Sequence, residues 1–193
     1  MRKKLQTVLQ LAVMLVVMFH FSSCKKDDSS TTPTVTPLAI GGTYQGGKIF
    51  YLLQSGDVGY SATVQHGLIA APNDTILKWS VAAPIFTGAS DTTLGAGNAN
   101  TNTIISILTT GSYAAKYCSD LVLGGYSDWY LPSKAEMFKL FRSKAQFTNL
   151  TGNGYWTSSE TDANNAYMQG VVDGHQGVAN KMNPYSVRPI RSF

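Results

Sequence analysis

The first 24 residues constrain the chain most, because they leave only the remainder available for a folded domain. A basic cluster, Arg2-Lys3-Lys4, precedes an apolar stretch from Val8 to Phe21, and small residues follow up to Cys24. This order is typical of a cleaved export signal. The apolar stretch has about 14 residues, whereas a transmembrane helix needs roughly 20, which disfavours a membrane span. We therefore predict that residues 1–23 are a signal peptide that is removed.

The segment Phe21-Ser22-Ser23-Cys24 resembles the lipobox of bacterial lipoproteins. The resemblance implies that Cys24 carries the lipid and that the membrane is a partner through it. It also implies a lipoprotein of the cell envelope, most simply of the outer membrane, and the alternative is an ordinary cleaved signal. Residues 24–40 are predicted to be a flexible tether because they are rich in Ser, Thr and Pro. Within it, Lys25-Lys26-Asp27-Asp28 is similar to a surface-export signal or is simply a charged linker.

The charge of the predicted mature chain excludes one class of partner. Removing Arg2, Lys3 and Lys4 from the 15 basic residues leaves 12, against 11 acidic residues. A chain so close to neutral lacks the basic surface that follows a phosphate backbone, so no nucleic-acid partner is predicted. Cys118 has no predicted disulfide partner if Cys24 is lipidated, and we expect it to be a small buried apolar residue.

Residues 41–193 are predicted to form one globular domain with short strands and a few helices. Apolar runs and turn residues predict strands, and helical spacing with capping residues predicts helices. Ser133 and Glu136 have the spacing of a capping box. Asn98 or Asn100 is the expected cap of the first helix, and Asp173-Gly174 is a candidate two-residue hairpin turn. The predicted strands are 48–54, 67–71, 155–159, 166–173, 175–181 and 185–193, and the predicted helices are 98–108, 113–123 and one from 133 to about 142–144.

Three segments in order resemble the Lcl C-terminal-domain family. They are Gly124–Glu136 (GGYSDWYLPSKAE), Tyr155–Glu160 (YWTSSE) and Val187–Arg191 (VRPIR), and Gln65–Pro72 also fits. The resemblance implies an α+β, C-type-lectin-like fold with small twisted antiparallel sheets, two to three helices, and first and last strands that pair. Some related proteins of this fold use a calcium site and others use a pair of cysteines, but the sequence motifs of both sites are missing here. No metal and no cofactor are therefore predicted.

Most residues that attract attention have a structural interpretation. Trp129, Leu131 and Trp156 are expected in the core, Asp128 is expected to bond backbone near a helix start, and Arg188 and Arg191 are expected to bond carboxylates or carbonyls. His66 and His175 have no spacing typical of a metal or catalytic pair. No catalytic residue is predicted. The carboxylates of Glu160, Asp162 and Asp173 are the nearest approach to a catalytic set.

The segment 164–185 is the predicted ligand-binding face, because it is rich in amides and tyrosines. Such side chains combine rigid contact area with adaptable hydrogen bonding. Replacing Tyr167 and Tyr185 would test it. The predicted function is a lipid-anchored, adhesin-like binding module for a protein or glycan ligand, without catalytic activity; the alternatives are an enzyme acting on envelope polysaccharide and a structural envelope or fibre component. The predicted ligand-binding residues are Asn164, Asn165, Tyr167, Gln169, Asp173, His175, Asn180, Asn183 and Tyr185.

Overall fold

The computed structural model describes residues 37–193. The predicted signal peptide, Cys24 and most of the tether lie outside the described residues. Leu38, near the end of the predicted tether, exchanges hydrogen bonds with the side chain of Gln65. The helices are α1 (Gly97–Leu108), α2 (Ala114–Ser119) and α3 (Lys134–Arg142), with a 3-10 turn at Lys144–Gln146. The strands are β1 (Thr43–Tyr44), β2 (Gly47–Leu52), β3 (Gly67–Ala70), β4 (Thr75–Lys78), β5 (Gly154–Glu160), β6 (Asn165–Gly170), β7 (Gln176–Asn180), β8 (Pro184–Val187) and β9 (Ile190–Ser192).

The strands form two sheets, and the α+β class is confirmed. One sheet has the order β1-β2-β3-β9 and the other has the order β4-β8-β5-β6-β7. All pairs are antiparallel except β5 and β8, which meet in parallel at Tyr155 and Ser186. The first and last strands share a sheet, but β9 pairs with β3 and not with the first strand. The predicted final strand 185–193 is divided at Pro189, because β8 and β9 belong to different sheets.

Three apolar clusters hold these layers together. One face of the five-stranded sheet, with Trp156, packs with Ile104 of α1 and Cys118 of α2. Its other face, with Tyr155, packs with Met137 of α3 and with the four-stranded sheet. The third cluster lies on the far side of that sheet, around Trp129. The core positions predicted for Trp129, Leu131, Trp156 and Cys118 are confirmed, since each is buried.

Several local predictions need correction. The cap of α1 is Ala96 without a side-chain bond, because Asn100 instead donates to the Asp91 carbonyl. Helix α2 ends at Ser119, and residues 121–126 form a turn that closes through the Leu123–Tyr126 bridge. The β6–β7 connection is a longer loop, so Asp173-Gly174 is not a two-residue turn. The capping box of α3 is confirmed, with Ser133 accepting from the Glu136 N–H.

Candidate functional site

A buried ion pair fixes the long loop after β4 to the five-stranded sheet. Lys181 Nζ lies 2.5 Å from Glu160 Oε2, and both side chains are fully buried. Glu160 also accepts hydrogen bonds from the N–H groups of Thr87 and Gly88, and Lys181 donates to the Ile85 carbonyl at 2.8 Å. A buried charge is tolerated when it is paired and its remaining hydrogen-bond capacity is used. This pair therefore holds the loop in place.

Two arginines from the carboxyl-terminal segment join distant parts of the chain. Arg188 is fully buried and donates to the Asp74 carboxylate and to the carbonyls of Ala71 and Asn149. Arg191 donates to Asp128. The expected partners of both arginines are confirmed, whereas Asp128 bonds an arginine and not the backbone near the helix start. Each arginine fork satisfies several acceptors in a fixed geometry.

Glu136 is a second buried carboxylate. It accepts from the Ser133 N–H at 2.7 Å, from the Gly95 N–H at 3.1 Å and from the Tyr130 hydroxyl at 3.2 Å. Burial raises its pKa above the usual 4.5 despite these donors. Its position joins the start of α3 to the segment before α1, which is a structural role.

The predicted ligand-binding face is divided by the sheet. Side chains alternate along β6, so Ala166 and Met168 face the cluster with α1 and α2, whereas Asn165, Tyr167 and Gln169 face the side of α3. Tyr185 lies with Trp156 on the first side, at a ring separation of 5.0 Å and an angle of 86°. Tyr167 and Tyr185 therefore cannot contribute to one flat contact surface.

Side chains of β6 and β7 on the α3 side form a patch, which we name the hairpin surface, in which Val178 and Asn180 are exposed and the other side chains are half-buried. The register places Asn165 opposite Asn180 and Tyr167 opposite Val178, and Gln176 continues the same face. The ammonium of Lys134 lies 4.1 Å from the centre of the Tyr167 ring. The sequence interpretation overlooked Lys134 and Val178, whose proximity depends on the packing of α3 beside the hairpin. The hairpin surface consists of Lys134, Asn165, Tyr167, Gln176, Val178 and Asn180.

The other predicted residues lie elsewhere. Gln169 is fully buried and donates to the Gly170 carbonyl, so it is withdrawn from direct contact with a surface ligand. Asp173 and His175 are in the β6–β7 loop, where the Asp173 carboxylate accepts from the His175 N–H at 3.0 Å. Asn164 and Asn183 are exposed at the opposite end of the hairpin. The predicted set is thus spread over the sheet, with Asn165, Tyr167 and Asn180 brought together.

A groove opens where the parallel strands β5 and β8 separate. The two strands have a single bridge, and the chain before it diverges on each side. The cavity at this point measures about 560 Å³ and is lined by residues 74–76, 151–154 and 184–186. Tyr185 is one of the predicted ligand-binding residues, but no pattern in the sequence predicted strand β4 or its place beside β8.

The carboxylates of the enzymatic alternative do not converge. Glu160 is buried against Lys181, Asp162 is exposed before β6, and Asp173 is exposed in the loop after that strand. The Asn165 side chain and two backbone N–H groups hold the pKa of Asp162 below its usual value. Within residues 37–193, His, Cys, Asp and Glu side chains form no group of three suited to a metal ion. Cys118 is free and buried, and burial raises its pKa well above the usual value.

A family model described as the Lcl C-terminal domain matches residues 70–191. The chain belongs to this family. The Lcl C-terminal domain motifs lie in contact with one another: the Ser158 N–H donates to the Pro132 carbonyl at 2.7 Å, and Tyr130 bridges to Ile190. Together with the Arg191–Asp128 pair, these contacts join all three motif segments. The motif that identifies the family therefore consists largely of residues that hold the fold together.

Other comparisons are sparse. No curated protein matches the chain. One similar solved structure is a fimbrial protein from Bacteroides ovatus ATCC 8483, with a TM-score of 0.51 and 15% identity over 75% of this chain. The match covers 43% of that longer protein, and at this identity it shows a likeness of fold alone. Among residues 37–193, no helix is long and apolar enough to cross a membrane.

Proposed function

We propose that this Lcl C-terminal domain protein is a lipid-anchored, adhesin-like module that binds a protein ligand at the cell surface and has no catalytic activity. In this proposal, lipidated Cys24 anchors the protein, residues 24–40 form the tether between the lipid and the domain, and the hairpin surface contacts the ligand. One observation carries the proposal: contacts within the domain already hold the side chains of the hairpin surface in place. A surface whose side chains are already ordered loses less conformational entropy on binding.

The aromatic centre of the hairpin surface is held from two sides. The Lys134 ammonium lies over the Tyr167 ring, and Val178 lies opposite Tyr167 across the strands while remaining 54% exposed. Cation–π contacts of this kind fix a ring in place without covering both of its faces. Tyrosine with an apolar neighbour is a common centre of protein interfaces.

Internal hydrogen bonds orient each of the amides around this centre. Asn165 donates through Nδ2 to Asp162 at 3.0 Å, and Gln176 donates through Nε2 to the Lys134 carbonyl at 3.0 Å. Asn180 accepts through Oδ1 from the Met182 N–H at 2.9 Å. Each amide has two ends, so the other end stays available to a ligand. Oriented donors and acceptors around an aromatic centre support protein recognition.

Photocrosslinking in the native bacterium would identify the partner. A photoreactive phenylalanine analogue is introduced at Val178 of the full-length protein, and at Ile76 as an exposed control on a different edge of the sheet. We expect a surface protein to be crosslinked from position 178 and not from position 76. Equal recovery of the same proteins from both positions would contradict the proposal.

The recovered partner would then be purified for affinity measurements. We expect Tyr167→Ala to weaken binding by about tenfold or more, the usual effect of truncating a central interface aromatic. Tyr60→Ala, which removes an exposed tyrosine outside the hairpin surface, should leave the affinity within about twofold. If both variants bind as the wild type does, the hairpin surface is not the contact.

A second candidate function, a structural fibre component, is favoured by the free edge of β7. The Lys181 N–H donates to the Asn164 carbonyl and the Gly170 N–H donates to the His175 carbonyl. Hydrogen-bonded and non-hydrogen-bonded residues alternate along an antiparallel strand, so the backbone groups of Gln176, Val178 and Asn180 point outward from the sheet. The strand QGVAN carries no charge or proline that would prevent edge pairing. Concentration-dependent assembly of the purified protein, abolished by Val178→Lys, would support this function. A monomer at all concentrations would reject it.

A further inference from the structure

We propose that a basic patch at the carboxyl end of α3 docks the domain on the phosphate-bearing lipid surface of the membrane that anchors it. We name it the basal patch, and it consists of Lys48, Arg142, Lys144, Phe147 and Val172. The inference rests on the lipid anchor of the proposed function and adds to it a second, reversible contact with the same membrane. Lysine and arginine side chains are attracted to anionic lipid surfaces once they come close to them.

The basal patch lies beside the first described residues of the chain. A Cβ atom added at Gly41 would lie 2.5 Å from the side-chain oxygen of Gln146. The Lys48 ammonium donates to the carbonyl of the same Gln146 at 2.8 Å. Leu38 is three residues before Gly41, so it lies within about 11 Å of this contact. The predicted tether therefore joins the domain next to the patch, and the patch can reach the membrane without full extension of the tether.

The cations of the basal patch have no carboxylate partner of their own. None of the ion pairs within residues 37–193 includes Lys48, Arg142 or Lys144. Arg142 is exposed, and Lys144 donates to the Val171 carbonyl at 2.9 Å, which leaves other N–H groups of its ammonium for a phosphate oxygen. Asp173 in the neighbouring loop attracts Lys144 and offsets part of the charge. The patch nevertheless keeps an excess of positive charge.

An apolar side chain projects beside these cations. Val172, in the loop between β6 and β7, is 78% exposed. The loop is held against the end of α3, because a Cβ atom at Gly174 would lie only 2.6 Å from the Phe141 ring and the Lys144 ammonium lies 4.7 Å from the centre of that ring. Exposed apolar groups flanked by lysine and arginine are typical of protein surfaces that enter the headgroup region of a bilayer.

Docking through the basal patch is compatible with the hairpin surface. The strand register places Asn165 opposite Asn180 at the end of the hairpin away from the loop that carries Val172. A domain that rests on the patch would therefore direct that end of the hairpin surface away from the lipid. The docked orientation would present the proposed contact surface to a partner outside the membrane.

Fluorescence quenching in vesicles that contain the full-length, lipidated protein tests the contact. Cys118 is buried and Cys24 carries the lipid in the proposed function, so a fluorophore can be attached selectively to Ala145→Cys, beside Lys144, or to Ser106→Cys on α1. Helices α1 and α3 pack on opposite faces of the five-stranded sheet, which makes position 106 the control. The vesicles are phosphatidylcholine with or without phosphatidylglycerol, and a nitroxide on a lipid headgroup is the quencher.

We expect quenching at position 145 to be several-fold stronger than at position 106 when phosphatidylglycerol is present. It should fall to the level of position 106 in phosphatidylcholine alone, and also at about 1 M salt, where the Debye length shrinks to ~3 Å. Equal quenching at the two positions, or quenching at 145 that does not depend on phosphatidylglycerol, would overturn the proposal.

Variants separate charge from apolar contact. Arg142→Glu should weaken docking by about fivefold or more, the effect of losing one cation near an anionic surface. Lys116→Glu makes the same change of charge on α2, on the other face of the sheet, and should leave docking unchanged. Val172→Ser removes the exposed apolar group without changing charge and should also weaken docking. Wild-type quenching in both Arg142→Glu and Val172→Ser would overturn the assignment to the basal patch.

Flotation of the vesicles distinguishes failure of the anchor from failure of the docking. A protein that does not float with the vesicles lacks the lipid anchor of the proposed function, and this inference fails with it. A protein that floats but shows no quenching at position 145 is anchored without docking, which overturns this inference alone.

Discussion

Buried polar residues show what could and could not be predicted at the scale of single side chains. The sequence correctly predicted that Arg188 and Arg191 bond carboxylates or carbonyls, because a buried guanidinium has few other options. It could not distinguish Glu160 as a structural carboxylate from Glu160 as a catalytic one. That difference depends on Lys181, which lies 2.5 Å away but 21 residues along the chain. Burial and partner identity, which decide between the two roles, are properties of the folded chain.

Glu136 gives a pH-dependent prediction. Its pKa is raised by burial, so between 4.5 and the raised value the folded state holds more protons than the unfolded state. Its contribution to the free energy of unfolding is then greatest at low pH and falls as the pH rises through that interval, by at most about 1.4 kcal/mol per pH unit. Comparison with Glu136→Gln isolates this contribution from the other carboxylates.

Urea unfolding of the two proteins from pH 4.5 upward measures the effect. The stability of the wild type relative to Glu136→Gln should decrease with rising pH and then level off once Glu136 is ionised. A constant difference caused by altered hydrogen bonds to Ser133 or Gly95 adds an offset but no slope. A difference that rises with pH would show that the pKa of Glu136 is lowered.

At the scale of elements, capped and strongly patterned segments were predictable, and tertiary contacts determined the rest. The capping box fixes the start of α3 locally, so Ser133 and Glu136 sufficed to locate it. Helix α2 was predicted to continue to residue 123, but Leu121 and Leu123 pack with the cluster around Trp129, which a helix could not allow. The short strand β4 is recognised through its pairing with β8, a partner more than 100 residues away.

Gly97, the first residue of α1, allows a close approach between elements. A Cβ atom there would lie 2.7 Å from the Tyr130 ring and 2.9 Å from the Leu131 carbonyl, and would also meet Glu136. Helix propensity alone favours alanine by about 1 kcal/mol. We nevertheless expect Gly97→Ala to destabilise the protein by about 1–3 kcal/mol, because neither the ring nor the backbone can move freely.

Chemical denaturation of Gly97→Ala beside Ser106→Ala checks this prediction. Ser106 is exposed on the same helix, so its substitution should change the free energy of unfolding by less than about 0.5 kcal/mol. A more stable Gly97→Ala would mean that propensity outweighs packing at the start of α1.

At the scale of the whole molecule, the chain path decides which residues can act together. The amide-rich segment 164–185 reads as one face in sequence, but β8 enters the sheet beside β5 and not beside β7. Tyr185 is thereby moved to the opposite side from Tyr167 and onto the wall of the groove. The sequence thus identified a region rich in tyrosines and amides, while the strand order divides its side chains between the two faces of the sheet.

Arg188 is the residue on which the connection between the two sheets most depends. It lies between β8 and β9, which belong to different sheets, and it bonds the Ala71 carbonyl just after β3 as well as Asp74 just before β4.

Lysine at position 188 keeps the charge but cannot reproduce the planar fork that reaches several acceptors. We expect Arg188→Lys to lower the free energy of unfolding by about 1–3 kcal/mol, because the ammonium cannot reach every buried acceptor that the guanidinium satisfies. Native-state hydrogen exchange should show protection falling together in β3 and β8, whereas Arg142→Lys, at an exposed position, should leave both unchanged. Loss confined to one sheet would show that the sheets are stabilised independently and that Arg188 does not couple them.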